Sequence, residues 1–393
     1  MKRFVAILAV SLAGALPAVS QSLEDLNIQF HGYATQGFLY SNQNNVFTTT
    51  SSNGSAAWNE DVVNLGATPI PKLRVGVQAR YFLLGNYGNS ITLDWAQADY
   101  RFDDRFGVRV GKVMTPFGLF NETQDIDPSY MFALLPQGPY SIASRNSQLS
   151  EYGGVAYGTL KLDKLGKLEY RGWDGIRAVT KDDGNFLGQR ESGTTLPNGI
   201  SGSAIGAALH WRLPLEGHAL MFGASDLYVF QKSGVISNTP TTGASQTTTN
   251  GTETVSPFSQ PFIFAKYEHG RWMLAGEVWK SAAKQFVSLT GKATTESIND
   301  NTAWYPMLTY KVTDKLTAGS YYTQEFNTAA KLGPARYLKD WVISGRYDFN
   351  QFLYAKAEEH FIEGTLTDFD STMNPSGLKP TTKLTILKMG VSF

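Results

Sequence analysis

Cysteine is absent from all 393 residues. That excludes disulfides, thiolate metal centres, iron–sulfur clusters and a cysteine nucleophile. Charge is scarce: Asp, Glu, Lys and Arg make up 17%, against about 25% in ordinary soluble domains. Net charge is missing as well, because 34 cations meet 34 anions, so there is no broad basic footprint for nucleic acid. After residue 20 no apolar run reaches the ~20 residues that a membrane-spanning helix needs. Catalytic signatures are also lacking. His31, His210, His218, His269 and His360 form no H-E-x-x-H pattern, and no G-x-S-x-G occurs. Carboxylate pairs such as Asp125 with Asp127, or Glu358 with Glu359, mean catalysis only beside a placed substrate. Neither a cofactor nor a metal is expected.

What the chain does have is 23 Phe, 19 Tyr, 8 Trp and 38 Gly. Few charges with many aromatics and glycines fit a chain whose two faces meet different solvents. The first residues supply a compartment. Lys2 and Arg3 precede an apolar run from Phe4 to Leu16, Pro17 breaks it, and Ala18-Val19-Ser20 offers small residues before a cut. Residues 1–20 therefore read as a secretory signal peptide, with 21–393 as a single mature domain. A secreted chain without a spanning helix is either soluble or a closed β-barrel, the other structure that lipid accepts.

Periodicity of two runs through almost the whole chain. Leu73, Val75, Val77, Ala79 and Tyr81 alternate with Lys72, Arg74, Gly76, Gln78 and Arg80, and Ile205, Ala207, Leu209 and Trp211 alternate with Gly206, Ala208 and His210. Sixteen strands are predicted, near 27–40, 58–67, 72–84, 90–102, 106–114, 152–162, 167–177, 203–213, 218–230, 259–268, 271–281, 302–312, 315–326, 338–348, 351–362 and 382–393. Tight connections such as Thr68–Pro71, Asp163–Gly166 and His269–Gly270 alternate with long ones at 41–57, 115–151, 178–202, 231–258, 282–301, 327–337 and 363–381; the short 85–89 is the exception. A soluble sandwich also has short alternating strands, but it does not impose that alternation of loop lengths. The expectation is an all-β, transmembrane antiparallel barrel of about sixteen strands with short periplasmic turns and long external loops. A barrel of that size leaves an aqueous lumen. Residues 233–257, rich in Thr, Ser, Gly and Asn, read as a mobile external loop.

The last strand alternates Leu387, Met389, Val391 and Phe393 with Lys388, Gly390 and Ser392. Such an ending resembles the signal that the barrel-assembly machinery of Gram-negative outer membranes reads, with Phe393 at its tip. Three further segments carry a resemblance: His31-Gly32-Tyr33-Ala34-Thr35-Gln36-Gly37-Phe38-Leu39, Leu93-Asp94-Trp95-Ala96-Gln97-Ala98-Asp99-Tyr100-Arg101, and Gly107-Val108-Arg109-Val110-Gly111-Lys112 running into Thr115-Pro116-Phe117-Gly118-Leu119-Phe120-Asn121-Glu122-Thr123. They resemble outer-membrane porins of the phosphate-selective porin O and P type, in its broad sense, over about 30–125 and at the C-terminus. The resemblance implies a Gram-negative outer-membrane protein, a homotrimer whose third external loop folds inward, and passive diffusion of small hydrophilic solutes or inorganic anions. Anion-selective members line the lumen with arginines and the constriction with lysines. This chain departs from that pattern: loop 115–151 carries one cation, Arg145, against Glu122, Asp125, Asp127 and Glu151.

Strand parity nominates the lumen. With Val75 and Val77 on lipid, Arg74, Gln78 and Arg80 face inward; by the same rule so do Arg109, Arg212, Arg346, Lys356, Glu358 and His360. They form either a basic track opposed by loop carboxylates or a wet interior of local pairs, such as Arg346 with Glu358. A cation at mid-bilayer on the lipid face costs about 2–4 kcal/mol, so Lys112, on the lipid parity, belongs near the rim. Loop 115–151, with four prolines and the aromatics Phe117, Phe120, Tyr130, Phe132 and Tyr140, is the expected constriction, presenting Asn121, Glu122, Asp125 and Arg145. An outward cap or a subunit contact is the other reading of it. Tyr81, Trp211, Tyr267, Trp304, Tyr310, Trp341, Tyr347 and Phe393 fit interfacial girdles. A closed adhesin barrel and a rim hydrolase are the competing functions.

Overall fold

A computed structural model describes residues 26–240 and 247–393. The predicted signal peptide, 1–20, lies outside the described residues. Sixteen long antiparallel strands form the barrel: Gln29–Ser41, Ser55–Ile70, Leu73–Leu84, Asn89–Arg101, Gly107–Met114, Ser150–Lys161, Lys167–Val179, Ile200–Leu213, Ala219–Val229, Phe258–His269, Trp272–Leu289, Thr295–Lys311, Leu316–Asn327, Tyr337–Asp348, Leu353–Gly364 and Thr381–Ser392. Each pairs with its neighbours in sequence, and the last closes on the first from Tyr33 opposite Ser392 to Ser41 opposite Leu384. The closure ends on Phe393, whose backbone exchanges two 3.0 Å hydrogen bonds with Gly32. Among the described residues the barrel wall closes without an edge strand, the arrangement that lets a sheet satisfy its backbone in lipid.

Alternation decides what faces where. Outward positions are exposed and apolar, among them Ile91, Ile263, Val278 and Trp341, while inward neighbours such as Thr35, Arg80, Glu277 and Lys356 are buried. Of the predicted girdle, Trp211, Tyr267, Tyr310, Tyr347 and Phe393 stand on the outer parity at the tight-turn ends of their strands. Lys112 faces outward two residues from the loop end of its strand, with its ammonium on the Leu93 carbonyl.

Two readings are corrected. Segment 231–258 is not a structureless loop: Lys232–Asn238 and Thr249–Val255 pair as a hairpin, and the second strand pairs with the end of Trp272–Leu289. Segment 282–301 is mostly strand as well, because its two neighbours run on to Leu289 and resume at Thr295. Thr, Ser and Val suit a strand that borrows its partner from an existing sheet, and a small cluster of Val179, Phe186, Leu196, Ile200 and Ile236 anchors the addition. The 85–89 connection packs on its own chain: Gly85 donates to the Ala57 carbonyl and Asn86 to Thr48 Oγ1.

Several inward glycines exist because an aromatic ring lies over them. A Cβ on Gly223 would fall inside the Phe264 ring, whereas one on outward Gly345 would touch nothing within 4 Å. Overpacking costs about 1–3 kcal/mol. Gly223→Val should therefore lower the denaturant midpoint of the refolded barrel, and Gly345→Val should leave it unchanged.

Candidate functional site

The long segment between Met114 and Ser150 does not cap the barrel. It enters it, and the inward side chains of the wall hold its backbone. Thr115 N meets the Leu149 carbonyl at 3.0 Å, which closes the base of the loop. Asn121 locks that base, donating to the Thr115 carbonyl at 2.6 Å. Gly118 adopts φ +62° where any Cβ would strike the Tyr140 hydroxyl and Glu277. Glu277 then accepts from Leu119 N at 2.9 Å, Tyr140 at 2.7 Å and Tyr305 at 3.0 Å. Across the lumen, Glu358 accepts from the amides of Ala133 (2.7 Å) and Leu134 (3.2 Å), and Arg346 donates to the carbonyls of Pro128 (2.6 Å) and Tyr130 (3.0 Å).

Two ionic knots fasten the loop's charged residues. Asp127 is fully buried between Lys356 (3.0 Å) and Lys388 (2.5 Å), and Tyr354 donates to it at 2.6 Å. Burial pushes its carboxyl up, but Lys356 and Lys388 outweigh burial and hold it well below the usual carboxylate range. In the second knot Arg145 donates two hydrogen bonds to Asp94, at 3.0 and 2.9 Å. Asp94 reaches inward through a bulge: Gln78 opposes Trp95 and Ala79 opposes Leu93, so Asp94 is the extra residue and both it and Trp95 are buried. Gln78 and Trp95 both donate to Asp125, at 2.8 and 3.2 Å.

The predicted site residues therefore divide. Asn121, Asp125 and Arg145 are buried parts of the loop's anchorage. So is Arg80, tied to Glu60 at 2.6 Å and Asn146 at 3.1 Å. Arg346 bonds Asp348 and the loop backbone, and Glu358 is taken up by loop amides and His360, so those two do not pair with each other. Glu122, Arg109 and Arg212 come together instead. They join a ladder of alternating sign on the lumen wall: Asp99–Arg109 (3.2 Å), Arg109–Glu122 (2.9 Å), Glu122–Arg171 (3.0 Å), Arg171–Glu169 (3.6 Å) and Glu169–Arg212 (2.5 Å). Its side chains are about one-fifth exposed, except Arg212 at 48%. Asp99, Arg171, Glu169 and neighbouring His210 were not foreseen, although the parity that placed Arg109 and Arg212 inward places them inward too. Below the ladder a cavity of about 1250 Å³ opens at the tight-turn end, lined by Arg74, Arg101, Arg105, Arg109, Asp99 and Tyr157 among others. Among the described residues Arg74 has no carboxylate partner.

No family model matches the chain, and no curated protein matches it. Solved structures do. The chain is similar to OprB of Pseudomonas putida (TM-score 0.58, 11% identity, 94% of this chain and 95% of that one). It is also similar to OmpT, an outer membrane protein of Vibrio cholerae, in its trimer form (0.53, 12%, 93% and 99%). A third likeness is to an anion-selective porin from Comamonas acidovorans (0.52, 9%, 93% and 99%). This is the fold of the outer-membrane porins.

The Asp127 knot yields a test. Asp127→Asn leaves two buried ammonium groups facing a neutral amide, a loss of about 3–5 kcal/mol for a broken buried pair. Loop 115–149 should then become protease-sensitive in the folded barrel. A lowered carboxylate pKa supports the fold above its unfolded value of about 3.9 and stops doing so only as pH falls through the lowered one. Wild-type protection should accordingly survive at pH 4 and be lost only in stronger acid.

Proposed function

We propose that this protein is a diffusion porin of a Gram-negative outer membrane, passing small hydrophilic solutes and ions down their gradient. The observation that carries the reading is the charge ladder beside an inward loop in a closed barrel. Pores discriminate at their narrowest point by width and fixed charge, and the ladder is the charged surface that the loop leaves uncovered. The proposed orientation puts the tight turns in the periplasm and the long loops outside. Phe393, closing the last strand on the first, is the proposed mark for the barrel-assembly machinery. The trimer form of the Vibrio cholerae neighbour supports a homotrimer. No catalytic step is needed, and the histidines are disposed as wall and rim residues.

Selectivity follows from which charges remain unspent. The ladder holds three arginines (Arg109, Arg171, Arg212) and three carboxylates (Asp99, Glu122, Glu169), so it discriminates weakly. Arg145, the loop's single cation, is consumed by Asp94 and leaves no constriction cation to favour phosphate. The tight-turn vestibule supplies the remaining bias. Lys72, Arg74, Arg101, Arg105 and Lys161 there outnumber Asp99, Asp103 and Asp104. That excess is screened over about 8 Å in physiological salt, so the reading is a general porin with a mild anion preference.

Reversal potentials in planar bilayers under a salt gradient test this. Glu122→Lys removes the carboxylate shared by Arg109 and Arg171, and it should move the permeability ratio several-fold toward anions. A lysine at exposed Thr252, on the added hairpin, should leave the ratio as in wild type. Equal effects at the two positions would refute the ladder as the selectivity element, and a folded barrel without conductance would refute the porin.

A further inference from the structure

Two glycines stand side by side in the lumen wall near the tight-turn end. Cross-strand register puts Gln29, Gly66, Gly76 and Gln97 in one inward row. The Trp95 ring lies over Gly76, where a Cβ would come within 3.0 Å of it. Packing does not explain Gly66, since a Cβ there would meet only the Val75 carbonyl at 3.9 Å. Glycine inside a strand costs stability, and it often marks a place where a ligand or another backbone comes close. The missing side chains leave a recess of about 310 Å³, which meets the larger tight-turn cavity at Arg74 and Asp99. Small-molecule sites are recesses of this kind with a few convergent polar groups.

The polar groups of the recess divide into engaged and unengaged. Asp99 is engaged, with Arg109 at 3.2 Å and the Tyr157 hydroxyl donating to it. Trp95 spends its indole N–H on Asp125 and turns the six-membered end of its ring over Gly76. Gln97 Oε1 is buried with no hydrogen-bond partner. Among the described residues the side chains of Gln29, at the other end of the row, and Arg74, one row nearer the turn, have no partner either. Three strand spacings separate Gln29 from Gln97, roughly 14 Å between backbones. Two glutamine side chains and one sugar ring fill that span.

Each unengaged group selects a chemistry. A guanidinium takes a carboxylate through two parallel hydrogen bonds. A primary amide both donates and accepts, which matches the two roles of a hydroxyl. The Trp95 ring offers an apolar wall to the C–H side of a sugar. Lys72, Arg101 and Arg105 at the mouth repel an ammonium group, so an amino acid fits less well than a hydroxy acid.

We propose that this recess binds sugar acids, with the carboxylate on Arg74 and hydroxyls on Gln29 and Gln97. The inference rests on the porin reading and names a solute class for it.

The test is block of the current in planar bilayers, with D-glucuronate added on the tight-turn side of the refolded full-length barrel. Heat-modifiable electrophoretic mobility reports that each variant is folded. Glucose carries the hydroxyls without the carboxylate, and acetate the carboxylate without the hydroxyls. Glucuronate should reduce the single-channel current at concentrations where neither of them does. Arg74→Gln should raise the half-blocking concentration about tenfold, the weight of one charge-assisted hydrogen bond. Gly66→Leu fills the recess without touching a charge and should abolish the block, whereas Gly345→Leu on the outer face should leave it at the wild-type level. Equal block by glucose or acetate, or block that survives either Arg74→Gln or Gly66→Leu, would overturn the proposal. Isothermal titration of glucuronate into the detergent-folded barrel reads the recess without transport. Binding that Gly66→Leu abolishes, in a barrel that does not conduct, refutes the porin alone; a conducting barrel with neither binding nor block refutes the sugar-acid site alone.

Discussion

A single carboxylate between two buried lysines governs the interior of this barrel. Asp127 sits at the point where the loop reaches the far wall, with Lys356 and Lys388 supplied by adjacent strands. None of the three groups is tolerable there alone, because an unpaired charge out of water loses its hydration with nothing in return. Together they fix the loop's depth and register, and the neighbouring contacts then follow. Lys356 also holds the carbonyls of Asp127 and Phe132, at 2.8 and 3.0 Å, so the same ammonium that neutralises the acid also ties down the turn after it. Ala133 and Leu134 are thereby delivered to Glu358, and Tyr140 to Glu277. A loop inside a barrel must satisfy its backbone groups without a sheet. Here the wall does so with side chains.

That arrangement sets the electrostatics of the path. Charges within the lumen do two kinds of work and no single residue does both. Glu60, Arg80, Asp94, Arg145, Lys356 and Lys388 are almost wholly buried and exchange their charge with each other or with the loop. The ladder from Asp99 to Arg212 keeps partial contact with solvent. An inventory of inward arginines therefore overstates the field that a solute meets. Of the five proposed from parity, Arg80 and Arg346 are structural, Arg109 and Arg212 belong to a balanced ladder, and Arg74 alone remains unpaired.

Much of the architecture was legible because a barrel wall repeats one simple rule. Residues on lipid and residues on water alternate, so strands such as Leu73–Leu84 and Ile200–Leu213 announce themselves. The added hairpin did not, since Lys232–Asn238 and Thr249–Val255 bury little beyond Ile236 and Glu253 and take their partners from strands that only the fold brings beside them. The partner choices inside were hidden for a different reason. Asp94 points inward only because a bulge at that position breaks the alternation, and without it Arg145 has no acid to meet. Nor does spacing reveal that Asp127 meets Lys356 and Lys388, more than two hundred residues away. Parity states which way a side chain faces; it is silent about what comes to meet it from a loop.

The charge ladder on the inner face of the wall between Asn89 and Leu213 follows from where the loop is fastened. The loop is stitched at Glu277, Glu358 and Lys388 on one side and at Asp94 and Trp95 on the other, and the ladder is the stretch of wall that those contacts leave facing water. The outer surface of that wall carries large apolar side chains, among them Ile91, Val110, Tyr152, Ile176 and Leu209. Ser150–Lys161 alternates weakly because Gly154, Ala156 and Gly158 occupy outward positions, while Gly153 lies on the lumen parity with Glu151 and Val155. The separation of Arg109, Glu122 and Arg171 is set by the loop's anchorage and by the cross-strand register of the wall.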